Sequence, residues 1–383
     1  MDYLIVGAGL SGAVLAERLA RRPGNHIYII EKKKHIAGTC YDYYDKNGIL
    51  VHGYGPHIFN TYDNKVWKYV NQFADFLLYH HRVLGMVDGA LVPIPFNLKS
   101  IHTLFPDKLA NSLTEKLVNE YGYNAKVPIL ELQMQNDQEL KFLANFIYEK
   151  VFLHYTLKQW GMRPEDVGSG AMARIPVFIS TDDRYFQAPY QGVPKLGYTD
   201  MIKNMLSAPN IAVVLGMDYK EILSLNKTEK SISVYNIPFK GKVIFTACLD
   251  ELFDYEYGQL PYRTLKFHFE TYDCPSYQPV ATVNYPNDYE FTRITEFKKL
   301  TQQKNPKTVI MKEFPQQYDS EDKNLDPFYP IPTKENEAMY SKYLQLARGY
   351  SSLIVAGRLA NYKYYTMADT VANALLLADT LDQ

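Results

Sequence analysis

The chain opens with an apolar run at 3–6 (Tyr-Leu-Ile-Val) that passes straight into Gly7-Ala8-Gly9-Leu10-Ser11-Gly12. Residues 10–22 set Val14, Leu15 and Leu19 on one side of a 3.6-residue period, with arginines near the end, and predict a helix. A second run at 26–30 (His-Ile-Tyr-Ile-Ile) predicts a strand ending at Glu31. From 98 to 160 the apolar spacing becomes three and four, most clearly over 108–121 and 138–152, which predicts helices. Short β-rich runs dominate 210–345: 213–215, 232–235, 242–246, 265–269 and 308–312. Pro93, Pro95, Pro327, Pro330 and Pro332 read as joints. The last stretch returns to a strand at 352–356, a turn at 357–358 and a helix at 367–381.

Strand, glycine turn, helix and strand together form a βαβ dinucleotide-binding opening. Gly7 permits the tight turn, Gly9 lets backbone approach a pyrophosphate, and Gly12 lets helix pack on strand. Leu10 and Ser11 begin the helix whose free N–H groups face the phosphate. Glu31, 19 residues after Gly12, is placed to hold a ribose diol. A single fingerprint near the start of the chain, with no second copy, points to FAD ahead of NAD. A nucleotide-type domain begun at residue 1 and completed at the last helix must be discontinuous. The predicted class is therefore α/β: a discontinuous Rossmann-like FAD-binding domain (1–78, 195–250 and 345–383) with an inserted helical domain (98–163). An antiparallel β-sheet substrate domain takes 79–97, 164–194 and 251–344, with a mobile loop near 163–178.

Composition narrows the function classes. Lys plus Arg is 41 against 42 Asp plus Glu, so a nucleic-acid partner held by general phosphate attraction is not expected. Three cysteines, Cys40, Cys248 and Cys274, are far apart and form no CxxC pair, which suits reduced thiols in a cytosol and gives no metal site. The apolar run at 4–16 is broken by Glu17 and Arg18 and is too short to span a membrane, so a soluble, cytoplasmic protein is expected. Tyr, at 33, well exceeds the 19 Phe. That surplus is either a compositional habit or, in part, a ligand surface of flat faces with polar tips.

Further motifs carry a specific resemblance. They are Tyr41-Asp42, Tyr54-Gly55-Pro56-His57-Ile58-Phe59, Pro95-Phe96-Asn97, and the run from Tyr155 to Gly161 (Tyr-Thr-Leu-Lys-Gln-Trp-Gly). Arg174-Ile175-Pro176-Val177, Tyr185-Phe186, Tyr190-Gln191-Gly192, Phe253-Asp254-Tyr255 and Tyr262-Arg263 follow. Thr292-Arg293-Ile294-Thr295-Glu296, Gly357-Arg358-Leu359 and Tyr362-Lys363-Tyr364 complete the order. Over nearly the whole chain this set resembles the bacterial UDP-galactopyranose mutases.

The resemblance implies a flavoenzyme that interconverts the six- and five-membered rings of a nucleotide-linked galactose without net redox change. FAD is active when reduced, its N5 forming a sugar adduct as the nucleotide diphosphate departs. An external reductant and a homodimer are implied on the same ground. A leaving diphosphate calls for planar, permanently charged forks, and Arg174 and Arg293 fall on the family's two phosphate arginines. Alone, either would read as a surface ion pair. Arg174 follows Gly161, Pro164, Gly168, Ser169 and Gly170, a composition that suits a closing loop. Phe152, Tyr155, Thr156 and Trp160 lie near a helix end and offer an aromatic face and polar edge to uracil; the competing reading is a core aromatic stripe. Tyr185 and Tyr364 match tyrosines that bond the diphosphate, and Asn284 matches a substrate-contacting Asn. His57, with Pro56 and Ile58, is expected beside the flavin, or else as a structural histidine. Lys32, Gly38, Thr39, Tyr219, Gly357, Arg358, Thr366 and Met367 complete the expected cofactor contacts.

Departures from the family pattern concern the same site. Its Glu-Tyr-Pro tyrosine is Phe314 here, its Tyr-Leu-Asp-Met aspartate is Thr366, and its sugar-pocket Asn aligns with His81. Asn60 replaces a histidine, and Ala37-Gly38-Thr39 replaces Gly-Gly-Asn. Such changes are expected to shift which sugar fits: UDP-galactopyranose, or a deoxy- or N-acetyl-hexose. Two other functions fit the opening fold, an FAD-dependent amine or carbon oxidase and a non-catalytic nucleotide-sugar-binding flavoprotein. Paired phosphate arginines separate the mutase from the oxidase; the Phe314 and Thr366 changes favour the scaffold.

Overall fold

A computed structural model describes residues 1–166, 176–322 and 324–381. Its first unit is a parallel sheet of five strands in the order Ile211–Leu215, His26–Glu31, Asp2–Val6, Lys242–Phe245, Leu353–Val355. The central strand is buried on both faces because its side chains alternate. Tyr3 and Ile5 join a core completed by the helices Leu10–Ala20, Tyr198–Met205 and Met367–Thr380. Leu4 and Val6 join a second core with Val243, Phe245, Tyr343 and Tyr350. Four distant sequence segments thus share one sheet and one pair of helical layers.

A seven-stranded sheet forms the second layer, ordered Tyr329–Pro330, Tyr262–Tyr272, Thr308–Gln317, Arg293–Glu296, Thr282–Asn284, Val83–Val87, Ala90–Ile94. All its pairs are antiparallel except Thr282–Asn284 with Val83–Val87. Helices Leu98–Leu104, Asp107–Tyr121 and Gln138–Ile147 bury Ile101, Leu113, Leu117, Leu143 and Ile147 against Val83, Val92 and Phe96 of that sheet's edge.

Several local expectations are revised. Helix Lys334–Arg348 occupies a region read as β-rich and runs through the boundary at 345; its turn begins at Thr333, whose side chain accepts from the Asn336 N–H. Pro93 is not a joint: it lies inside Ala90–Ile94, on the edge of the sheet, where a missing N–H costs no ladder bond. Strand Tyr190–Pro194, assigned with 164–194, pairs with Phe59–Thr61 and Phe76–Leu78 and so sides with the first unit. The helix expected over 138–152 ends at Ile147, and Tyr148–Leu153 continues as a π-helix into His154–Trp160. Residues 167–175, including Arg174 and most of the expected mobile loop, lie outside the described residues.

Candidate active site

Between the two sheets lies a cavity of about 690 Å³. At one end stands the glycine turn. Gly7 has φ +106°, and a Cβ there would sit 2.2 Å from Thr246 Oγ1; at Gly12 it would sit 2.1 Å from the Gly7 carbonyl oxygen. Neither position accepts a side chain while strand and helix remain in contact. Helix Leu10–Ala20 has no side-chain cap and no acid in its first turn, so its first N–H groups are left for a ligand. Gly7, Gly9, Leu10, Ser11 and Gly12 all line the cavity.

Glu31 also lines it, but its carboxylate serves the backbone too: Oε2 accepts from the Ala8 N–H (2.9 Å) and Oε1 from the Lys33 N–H (2.9 Å). Each oxygen keeps a lone pair for a diol. Lys32, Gly38, Thr39 and Tyr219 continue the wall, and the buried Tyr219 hydroxyl has no partner among the described residues. Lys33, unforeseen from sequence, ties this end shut by pairing with Asp326 and donating to the Tyr54 hydroxyl (2.9 Å). Cys40 lines the cavity as a protonated thiol, pushed up to about 12 by burial.

The C-terminal segment closes the middle. Gly357, Arg358, Tyr364, Thr366 and Met367 line the cavity, and the Arg358 guanidinium lies 5.1 Å over the Tyr329 ring. Helix Met367–Thr380 offers less than expected. Thr366 and Asp369 form a capping box that consumes the N–H groups of both residues, leaving those of Met367 and Ala368. Thr366 thus has a structural task at this position.

At the far end, Pro56, His57, Ile58, His81, Tyr185, Asn284 and Arg293 line the wall. Arg293 donates through Nε to Glu313 Oε2 (2.8 Å), and Glu313 is fully buried. Burial opposes the Arg293 charge, but Glu313, with Tyr155 and Tyr329, holds its pKa well above the ordinary guanidinium value. Its terminal amino groups make no hydrogen bond among the described residues, so a charged fork is presented to the cavity on a fixed stem. Three imidazoles on this side are neutral: His57 and His81, within reach of the Arg293 charge, and His52 behind His57. Burial drives His52 to about 4, burial and His52 drive His57 to about 3, and burial and Arg293 drive His81 to about 3. His57 Nδ1 lies 2.8 Å from the Gly55 carbonyl oxygen and must donate to it, which leaves Nε2 an acceptor.

Five expected substrate residues among the described ones, Phe152, Tyr155, Thr156, Trp160 and Phe314, do not line the cavity. The π-turn changes the phase of the helix, so Phe152 turns into the helical core, away from the side on which Tyr155 and Trp160 both approach Tyr364. Phe152 and Thr156 are buried, Phe152 within the helical core. Tyr155 stands near Arg293, which with Tyr364 acts on its phenol, and Trp160 lies 6.3 Å from the Tyr364 ring. Phe314 requires a correction of a different kind. It follows Glu313 on a strand, so its ring leaves by the opposite face, against His268 (4.7 Å) and Phe291 (6.0 Å). Glu313, Tyr329 and Thr282 were missed. An acid inside the apolar strand at 308–315 was the available signal for Glu313, since a buried carboxylate needs a partner.

No group of three or more His, Cys, Asp or Glu among the described residues is arranged to hold a metal, and no described helix is long and apolar enough to cross a membrane.

Comparison with known proteins agrees with this geometry. The family model described as UDP-galactopyranose mutase matches residues 150–364, and that of an NAD(P)-binding Rossmann-like domain matches residues 5–73. A probable UDP-galactopyranose mutase of Klebsiella pneumoniae is 37% identical over 99% of this chain and 94% of its own. A dTDP-fucopyranose mutase of Escherichia coli is 35% identical over 97% and 96%. Among solved structures, a reduced UDP-galactopyranose mutase superposes with a TM-score of 0.72 at 16% identity, covering 99% of this chain and 93% of that one. A putrescine oxidase shares the fold more distantly, at a TM-score of 0.55 and 11% identity. The chain belongs to the UDP-galactopyranose mutase family and is an isomerase of that type.

Proposed function

We propose that this protein interconverts the pyranose and furanose forms of a nucleotide-linked hexose, with FAD along the glycine turn and the nucleotide diphosphate against Arg293. The observation that carries the reading is the single cavity joining the uncapped helix Leu10–Ala20 to the Arg293 fork. An uncapped helix start, the orphaned Tyr219 hydroxyl and the Arg358 cation suit a dinucleotide. Bound and reduced by an external donor, FAD supplies a ring nitrogen that is nucleophilic toward an anomeric carbon. The chain's own residues bind and orient. Arg293, held by Glu313, takes the negative charge of the departing diphosphate without reorganising. Tyr185 and Tyr364 offer phenols along the same wall, and neutral His57 keeps an acceptor there rather than a competing cation. Arg174 belongs to the proposal as the second phosphate arginine by family position.

The sugar is galactose or a relative altered at one substituent. His81, Asn60 and Thr366 depart from the family pattern and line the cavity, and a dTDP-fucopyranose mutase stands among the relatives. The test is to incubate dithionite-reduced holoenzyme with UDP-galactofuranose and with dTDP-fucofuranose and separate ring isomers by chromatography. Isomerisation in the reduced but not the oxidised protein is expected. Reduction of the flavin by substrate, or binding without turnover, overturns the reading. Turnover of UDP-galactose equal to that of an ordinary family member overturns the altered-sugar part.

A further inference from the structure

Strand Thr282–Asn284 runs through the far wall of the cavity, with Val83–Val87 on one side and Arg293–Glu296 on the other. Thr282 and Asn284 are two residues apart on it and therefore share a face. Both line the cavity, Thr282 is 1% exposed and Asn284 is 8% exposed, yet Thr282 Oγ1 and Asn284 Oδ1 have no hydrogen-bond partner among the described residues. Asn284 sits opposite Arg293 in the ladder, and Arg293 opposite Glu313, so the orphaned pair adjoins the phosphate fork on one sheet face. Thr295, opposite Thr282, is also without a partner but does not line the cavity.

Buried polar atoms in folded proteins are paired, and an orphan costs free energy unless something supplies the missing bond. Here two orphans on one cavity wall call for the same occupant. Asn284 Oδ1 can only accept, and the Thr282 hydroxyl can donate or accept. Arg293 is already balanced by Glu313, so this patch suits a neutral group carrying O–H donors rather than a second anion. Apolar Val83, opposite Thr282 in the parallel pair, and Thr295, which does not line the cavity, leave Thr282 as the polar side chain that this rung presents to the cavity.

We propose that Thr282 is a specificity-determining residue, its hydroxyl bonding one ring hydroxyl of the sugar next to the diphosphate held by Arg293. The inference rests on the nucleotide-sugar reading and names the part of the sugar pocket that the family resemblance left unassigned. Thr282 selects rather than reacts: it adds affinity for a sugar that presents a hydroxyl at that point and penalises one that does not, because the orphan then stays unpaired.

The test measures, in full-length holoenzyme, the dissociation constants of UDP and of UDP-galactose for wild type, T282V and T282S. Their ratio cancels any general damage to the fold or to diphosphate binding. T282V is expected to raise the UDP-galactose to UDP ratio about 5- to 10-fold, the scale of one hydrogen bond, while T282S restores it. The four monodeoxy analogues of UDP-galactose (2-, 3-, 4- and 6-) then locate the bond. One of them is expected to bind wild type more weakly by the same factor and T282V no more weakly than UDP-galactose itself. An unchanged ratio in T282V, or deoxy losses that are the same in both proteins, overturns the inference. Isomerisation by the wild type is scored separately, so a protein that fails to turn over the sugar overturns the functional reading while the T282V ratio still decides this one.

Discussion

Glu313 is the residue on which the charge and position of the Arg293 fork depend. Without its carboxylate, Arg293 becomes an uncompensated charge in a buried wall, a loss that generally costs about 3 kcal/mol or more. Glu313→Gln is expected to lower unfolding free energy by about 3 kcal/mol in urea titrations and to weaken UDP binding at least tenfold; a variant with wild-type stability contradicts the assigned role. The neutral imidazoles give a second prediction. An unfolded histidine takes up a proton near pH 6.5, whereas His52, His57 and His81 stay neutral to about 4, 3 and 3 in the fold. The unfolded state therefore binds more protons across that interval, and stability falls as pH drops from about 6.5 toward 4. His81→Asn removes one such group and is expected to flatten the acid limb by about one proton, or about 1.4 kcal/mol per pH unit between pH 6 and 4. At this scale the sequence was informative where a motif fixed the backbone, as with Gly7 and Gly12. It misled at Phe314 because residue identity says nothing of face until the strand's alternation is followed from its start.

Among the elements, helix His154–Trp160 stands behind the cavity wall, with Tyr155 near Arg293 and Trp160 near Tyr364. It is held from outside. Arg263 donates through Nε to the Gln159 carbonyl (2.9 Å) and through a terminal nitrogen to the Lys158 carbonyl (2.8 Å), satisfying acceptors of the last turn. Lys158 Nζ in turn donates to the carbonyls of Tyr285, Tyr289 and Phe291. Arg263→Met leaves those helix carbonyls buried without donors. It is expected to cost about 2 kcal/mol and to raise KM for the nucleotide sugar more than it lowers kcat, because Tyr155 and Trp160, which stand beside the cavity-lining Arg293 and Tyr364, lose their setting. Equal changes in both constants would assign Arg263 to something other than positioning. The helix itself was legible from its apolar spacing. Its π-turn was not, since an extra residue per turn leaves no mark in a pattern of threes and fours, and that one insertion separated Phe152 from Tyr155 and Trp160. Helix Lys334–Arg348 was hidden differently: its mixed polar surface lies over a core in which Tyr343 and Ala347 alone are fully buried contributors.

In the whole molecule, the cavity is walled by both sheets, so whatever fills it holds the layers together. FAD at a hundred times its dissociation constant is expected to stabilise the native state by about 2.7 kcal/mol, read as a rise in unfolding midpoint of the apoprotein on titration with FAD. The absence of any rise counts against the cofactor assignment. The βαβ opening and the return to α/β at the end were enough to infer a discontinuous domain. The pairing of distant strands was beyond reach, because the apolar runs at 3–6, 242–246 and 352–356 carry no label for their neighbours.

That pairing also sets a timetable. The strand Asp2–Val6 leaves the ribosome well before Lys242–Phe245, which covers one of its edges, and longer still before Met367–Thr380, which closes its core. The nascent chain must therefore carry an apolar strand half-covered while the intervening residues are made, and folding of this unit is committed only once Met367–Thr380 has emerged.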